Sequence, residues 1–224
     1  MPEQLSFDLP SVPALGRADF MVAPSNAVAV AMIEAAPAGK LVLTGPEGSG
    51  KTHLAHVWAT KAKAQIISSI DLNEADIPAL AQRSIVVEDV PEIAGDADKQ
   101  NALFHLHNLV LAEDKALLLT GRGAVRDWGI TLPDLASRVA AAPSASLELP
   151  DDTLLAAILA KLFADKQLTP KRDLIPYLIT RMDRSFAAAR GLVDRLDTAS
   201  LAQKRPISRV LAASLLDNEA KSAR

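Results

Sequence analysis

Apolar residues gather in short runs from residue 40 onward, separated by stretches of helical length. The runs cover residues 40–44, 65–68, 84–88, 116–120 and 146–149, and most are rich in Val, Ile or Leu. Apolar runs this short, bounded by turn residues, read as buried strands. Residues 52–63 and 99–113 are long enough for helices between them. Strand and helix in alternation predict an α/β fold, a parallel sheet with helices on both faces.

The strand signals stop at Pro150. Asp151 and Asp152 stand where a helix N-terminus favours acids, ahead of a Leu/Ala-rich run to Ala164. Further helices are expected from near Lys171, from near Asp183 and over residues 207–216. In the second of these, Phe186, Ala189, Val193 and Leu196 share a face. Residues 1–19 show no sustained period and contain Pro2, Pro10 and Pro13, so they read as an extended tail. The expected organisation is a tail over 1–19, an α/β unit over 20–150 and a small all-helical unit over 151–224.

Composition narrows the function classes. The chain is 49% apolar and 23% charged, as soluble globular proteins are. No apolar run approaches the roughly 18 residues of a membrane span, and the first residues lack a signal-peptide pattern. Cysteine is absent, which excludes disulfides and thiolate metal sites and fits a cytoplasmic protein. The net charge of −3 argues for little autonomous DNA binding, which needs many Lys or Arg on phosphates.

The chemistry centres on Gly45-Pro46-Glu47-Gly48-Ser49-Gly50-Lys51-Thr52, which matches the P-loop pattern G-x-x-x-x-G-K-[ST] in full. A strand-like run precedes it, and a helical run beginning with Thr52 and His53 follows. The glycines let backbone N–H groups converge on one anion, and the helix start adds its positive end. Lys51 is expected on the β- and γ-phosphates and Thr52 on Mg²⁺, so ATP or ADP with Mg²⁺ is the expected ligand. Residues 84–88 run into Glu88-Asp89, two acids at a strand's C-terminal end, where ligands of open α/β sheets sit. Glu88 is the candidate for the metal's hydration shell and Asp89 for orienting a water. The alternative is a solvated acidic turn. Thr120-Gly121-Arg122 ends the fourth run and reads either as a polar contact to the phosphates or as a plain loop.

A P-loop, an acidic strand end, a polar fourth strand end and a helical C-terminal unit together resemble the AAA+ ATPases. Phe20-Met21-Val22-Ala23-Pro24-Ser25-Asn26 is similar to the segment that cradles adenine in the DnaA/Hda family. Val22, Pro24 and Asn26 are therefore expected at the base. Residues 132–138 resemble that family's arginine-finger motif, which assigns Arg138 to a neighbouring subunit's γ-phosphate. The bland reading of Arg138 is a surface pair with Asp134. Asp183-Arg184, with Ser185-Phe186 after it, resembles the family's sensor 2 helix, so Arg184 either reaches the nucleotide or forms a lid-surface ion pair.

Gln4-Leu5-Ser6-Phe7-Asp8-Leu9 is similar to the sliding-clamp-binding peptide QLSLPL. Gln4 would hydrogen-bond in an extended groove, while Leu5, Phe7 and Leu9 supply apolar surface. The sequence ends soon after the expected lid, so DnaA's C-terminal DNA-binding domain is not expected. Both features resemble the Hda branch of the family. That resemblance implies binding to the DNA polymerase III sliding clamp (its β subunit) and stimulation of hydrolysis of DnaA-bound ATP, hence negative regulation of replication initiation. Homo-oligomers are admissible, since AAA+ sites often form between subunits. An independent ATPase acting as a helicase loader or remodeler is the alternative, and an adaptor without nucleotide turnover is a third.

The family pattern breaks at two places. Arg122 stands where the family carries an acid, and Glu88 replaces the usual Asp. Both changes are expected to weaken or abolish intrinsic ATPase activity, because hydrolysis depends on alignment.

Overall fold

The computed structural model describes residues 16–17, 20–35 and 39–222. The clamp-peptide residues Gln4, Leu5, Phe7 and Leu9 lie outside them. The chain enters through α1 (Ala27–Ala35), then β1 (Lys40–Thr44), α2 (Lys51–Ala62), β2 (Gln65–Ser68), the single-turn α3 (Ile77–Leu80) and β3 (Ile85–Glu88). It continues through α4 (Ala97–Ala112), β4 (Leu117–Gly121), α5 (Pro133–Ala140) and β5 (Ser144–Ser146). Four helices follow: α6 (Asp152–Asp165), α7 (Leu174–Ile179), α8 (Phe186–Gln203) and α9 (Arg209–Ser222).

The five strands form one parallel sheet in the order β2-β3-β4-β1-β5. Successive strand residues point to opposite faces. Leu41, Leu43 and Leu118 pack with Ile33, Leu54 and Trp58 on one side. Val42, Leu117 and Leu119 pack with Leu103, Leu106 and Trp128 on the other. Covering both faces buries every position of β1 from Leu41 to Thr44, which explains why the strands read as unbroken apolar runs.

The last four helices build their own core around Leu159, Phe163, Leu178 and Leu196. Residues preceding α1 tie the two cores together. Phe20 belongs to the sheet's core, whereas Ala23 is buried in the helical one and Met21 packs against it.

Several elements differ from the sequence expectation. The fifth strand runs two to three residues earlier than 146–149, because its one buried side chain is the small Ala145 between exposed serines. A further helix, α5, stands where no element was expected: Pro133 starts it, and Leu135 and Val139 bury one face. Finally, α8 begins at Phe186, not near Asp183, because Ser185 caps it by accepting from the Ala188 N–H at 3.0 Å.

Candidate functional site

Parallel pairing sets the site. Thr44 at the end of β1 is in register with Gly121 at the end of β4, so the loops leaving both strands emerge side by side. The loop after β1 needs glycine for its shape. Gly48 has φ +76° and Gly50 φ +95°, a left-handed backbone that side chains rarely adopt. Gly50 then leads into α2, which opens at Lys51.

Lys51 is 8% exposed, and its ammonium donates to the carbonyls of Gly45 at 2.9 Å and Pro46 at 2.8 Å. Burial lowers its pKa most. Asp89 opposes that shift, Arg122 adds to it and Glu47 opposes it. The loop is further closed by the Ser49 hydroxyl, which donates to the Pro46 carbonyl at 2.8 Å.

The acidic pair splits into two environments. Burial pushes the Glu88 carboxyl above its ordinary pKa, against an opposing hydrogen bond to the Thr52 side chain. Its Oε1 is buried without a partner. Asp89 takes a left-handed conformation (φ +54°), fixed through its backbone. Its N–H donates to the Thr120 hydroxyl at 3.2 Å, and its carbonyl accepts from the Ser69 hydroxyl at 2.8 Å. Thr120 thus acts on the acidic turn, while Arg122 reaches across to the P-loop and pairs with Glu47 at 2.9 Å.

The helical unit closes the cleft from above. A methyl group at Gly48 would meet the Ser185 Cβ at 2.3 Å, and one at Gly50 would meet the Phe186 ring at 3.2 Å. Phe186 also stacks with Phe20 at 6.4 Å between centroids, and His53 packs edge-on to Phe20 at 5.0 Å. The resulting cleft of about 320 Å³ brings together Glu47, Lys51, Thr52, Asp89, Arg122 and Arg190. A smaller pocket of about 60 Å³ shares His53, Phe186 and Arg190 with it and adds Met21, Ile158 and Leu162.

Arg184 lies elsewhere. It precedes α8, forms an ion pair with Asp152 and donates to the Pro150 carbonyl at 3.2 Å. The lid cation that lines the cleft is Arg190, which the sequence reading missed. Its signal was the i,i+4 spacing from Phe186 once the helix start is fixed by Ser185. Asn26 is buried and spends its amide on backbone: Oδ1 accepts from the Ala23 N–H and Nδ2 donates to the Met21 carbonyl, both at 2.9 Å. It therefore shapes the 21–23 segment. Val22 is 51% exposed, and Pro24 lies in the turn into α1.

The residues fit a polyphosphate: a glycine cradle without room for side chains, a helix start and three cations, Lys51, Arg122 and Arg190, facing one cleft. Thr52 and Glu88, with its unpartnered oxygen, fit a hydrated divalent cation shared with phosphate oxygens. Among the described residues, no group of three or more His, Asp or Glu could hold a metal alone.

No protein-family model matches the chain. Among solved structures, it is similar to domain III of the replication initiation protein DnaA from Thermotoga maritima, with a TM-score of 0.82 at 19% identity. That match covers 94% of this chain and 98% of the other. The fold is DnaA-like AAA+. AMPPCP-bound DnaA from Aquifex aeolicus agrees at TM-score 0.73 and 19% identity, covering 83% of this chain but 66% of that one. A RuvB structure from Thermotoga maritima follows at TM-score 0.68 and 15% identity, over 84% of this chain and 66% of that one. The chain thus spans about two thirds of the Aquifex DnaA and RuvB chains.

In this DnaA-like AAA+ fold, Arg138 stands apart from the P-loop, exposed in the last turn of α5. Its guanidinium lies 5.4 Å above the Phe104 ring of α4, and its carbonyl accepts from the Lys40 ammonium at 2.9 Å. Beneath it His107 is 1% exposed, with its Nε2 unpartnered. No helix among the described residues is long and apolar enough to cross a membrane.

Proposed function

We propose that this chain is a nucleotide-bound negative regulator of chromosomal replication initiation, which binds the sliding clamp and stimulates hydrolysis of ATP held by DnaA. One observation carries the reading: the start of α8 closes on the P-loop glycines, while Arg138 is held outward on a separate face. A nucleotide clasped between P-loop and lid would set how the two units face each other. An exposed arginine stacked on a ring is ready for a neighbour's γ-phosphate, and such fingers are worth about 10³–10⁵ in rate. The DnaA-like fold supports a place in replication initiation, and AMPPCP in the Aquifex DnaA structure supports an adenine nucleotide here.

The chain's own hydrolysis would be weak. Burial raises the Glu88 pKa, so its carboxylate is a weakened partner for metal or water, and Arg122 is engaged with Glu47. ADP or ATP with Mg²⁺ then serves to fix a conformation, with Gly45 to Thr52 on the phosphates. Gln4, Leu5, Phe7 and Leu9 would dock on the clamp. The test is hydrolysis of DnaA-bound ATP in the presence of DNA-loaded clamp. Wild type should stimulate it, Arg138→Ala should lose about 10³-fold, and deletion of residues 1–9 should abolish clamp binding. Stimulation that survives Arg138→Ala would refute the finger.

The likeness to RuvB supports a second reading, an independent AAA+ ATPase that loads or remodels a replication protein. It requires vigorous hydrolysis by the chain alone, lost in Lys51→Ala.

A further inference from the structure

Glu47 and Arg122 are the two charges that the P-loop pattern does not require, and they meet across the mouth of the phosphate cleft. Glu47 occupies a free position of the G-x-x-x-x-G-K-[ST] pattern. Arg122 follows β4, whose end is closely packed. Gly121 sits where a side chain would run into the Trp128 ring at 2.5 Å and Pro91 at 2.7 Å, so the strand end is packed from below. The parallel register sets Gly121 beside Thr44, directly ahead of the P-loop. From there the Arg122 guanidinium reaches the Glu47 carboxylate at 2.9 Å, with 57% and 78% of the two side chains exposed. Both line the cleft with Lys51 and Arg190.

A carboxylate at this position repels polyphosphate, and the repulsion grows with each phosphate that approaches it. A guanidinium in contact with that carboxylate cancels the repulsion and is itself a phosphate ligand. The two outcomes compete for one cation. We infer that the Glu47–Arg122 pair is a charge gate that sets the preference of this site between nucleoside diphosphate and nucleoside triphosphate. The inference rests on the nucleotide reading above. With both residues in place, Glu47 holds Arg122 back and the site leans towards the diphosphate. Releasing Arg122 favours the third phosphate, and removing it leaves Glu47 to oppose that phosphate uncompensated.

Calorimetry on the full chain tests the gate, with ADP and ATP titrated separately in Mg²⁺. The readout is the ratio of the two affinities. Glu47→Gln should shift that ratio towards ATP by roughly tenfold, the effect of one charge at contact range in a partly solvated site. Arg122→Gln should shift it towards ADP by roughly as much, Arg122→Lys should stay near wild type, and the double Gln variant should fall between the two singles. Melting curves check that each variant is folded, and Arg122→Lys keeps the test decisive if one Gln variant is not. A ratio unmoved by either Gln substitution, in a protein that binds both nucleotides, overturns the gate and leaves the nucleotide site standing. Failure of wild type to bind either nucleotide overturns both.

Discussion

Ser185, the cap of α8, sits so close to Gly48 of the P-loop that a single added methyl group would lie 2.3 Å from its Cβ. The lid's first turn and the phosphate loop are therefore fitted to each other at the P-loop glycines, Gly48 against the Ser185 Cβ and Gly50 against the Phe186 ring. Gly48→Ala should disturb both. The residue has φ +76°, which costs a side chain about 1–2 kcal/mol, and the start of α8 must shift to relieve the contact. We expect the melting temperature to fall by about 2–8 °C, at roughly 2–4 °C per kcal/mol for a chain of this size. Nucleotide affinity should fall with it. Wild-type melting and affinity in Gly48→Ala would show that lid and loop are not in contact.

Arg190 and Arg184 should behave differently although both belong to the lid's cationic set. Arg190 lines the cleft, one helical turn from Phe186. Arg184 is held by Asp152 and the Pro150 carbonyl. Arg190→Ala should weaken nucleotide binding by about tenfold, as loss of a charge-assisted contact does. Arg184→Ala should leave affinity within about twofold. The reverse order would mean that the lid rotates to bring Arg184 inward.

Acid should destabilise the chain through His107. Burial lowers its pKa below the ordinary 6.5; the Asn108 hydrogen bond opposes this, and Lys40 and Arg138 add to it. A histidine with a depressed pKa stays neutral in the fold while the unfolded chain takes up a proton. Its contribution to stability is present above pH 6.5 and is lost as pH falls through the folded pKa. Urea unfolding between about pH 7 and 5 should show this loss in wild type. His107→Gln should flatten it. An equal slope in both proteins would place the acid sensitivity elsewhere.

The sheet and the phosphate site were legible for a common reason. Strands buried on both faces must be apolar throughout, as Leu41-Val42-Leu43 and Leu117-Leu118-Leu119 are, and a phosphate cradle needs glycine at fixed spacing. Elements that carry little apolar signal were misplaced or missed. β5 buries Ala145 between two exposed serines, and α5 shows the core little beyond Leu135 and Val139. The helix α1 was not expected either: Asn26 folds its amide back onto the preceding residues, and α1 follows at once. Pairings between distant side chains were out of reach. Glu47 with Arg122, Arg138 over Phe104 and Arg184 with Asp152 join residues from different elements, and no local spacing announces them.

Nucleotide binding between P-loop and lid is the claim on which the rest depends, and titration calorimetry with ADP and with ATP in Mg²⁺ addresses it most directly. Wild type should give saturable heat at one site per chain and a higher melting temperature in the presence of nucleotide. Lys51→Ala, which removes the ammonium now held between Gly45 and Pro46, should lose both. A wild-type protein that gives neither heat nor a melting shift with either nucleotide would contradict the account.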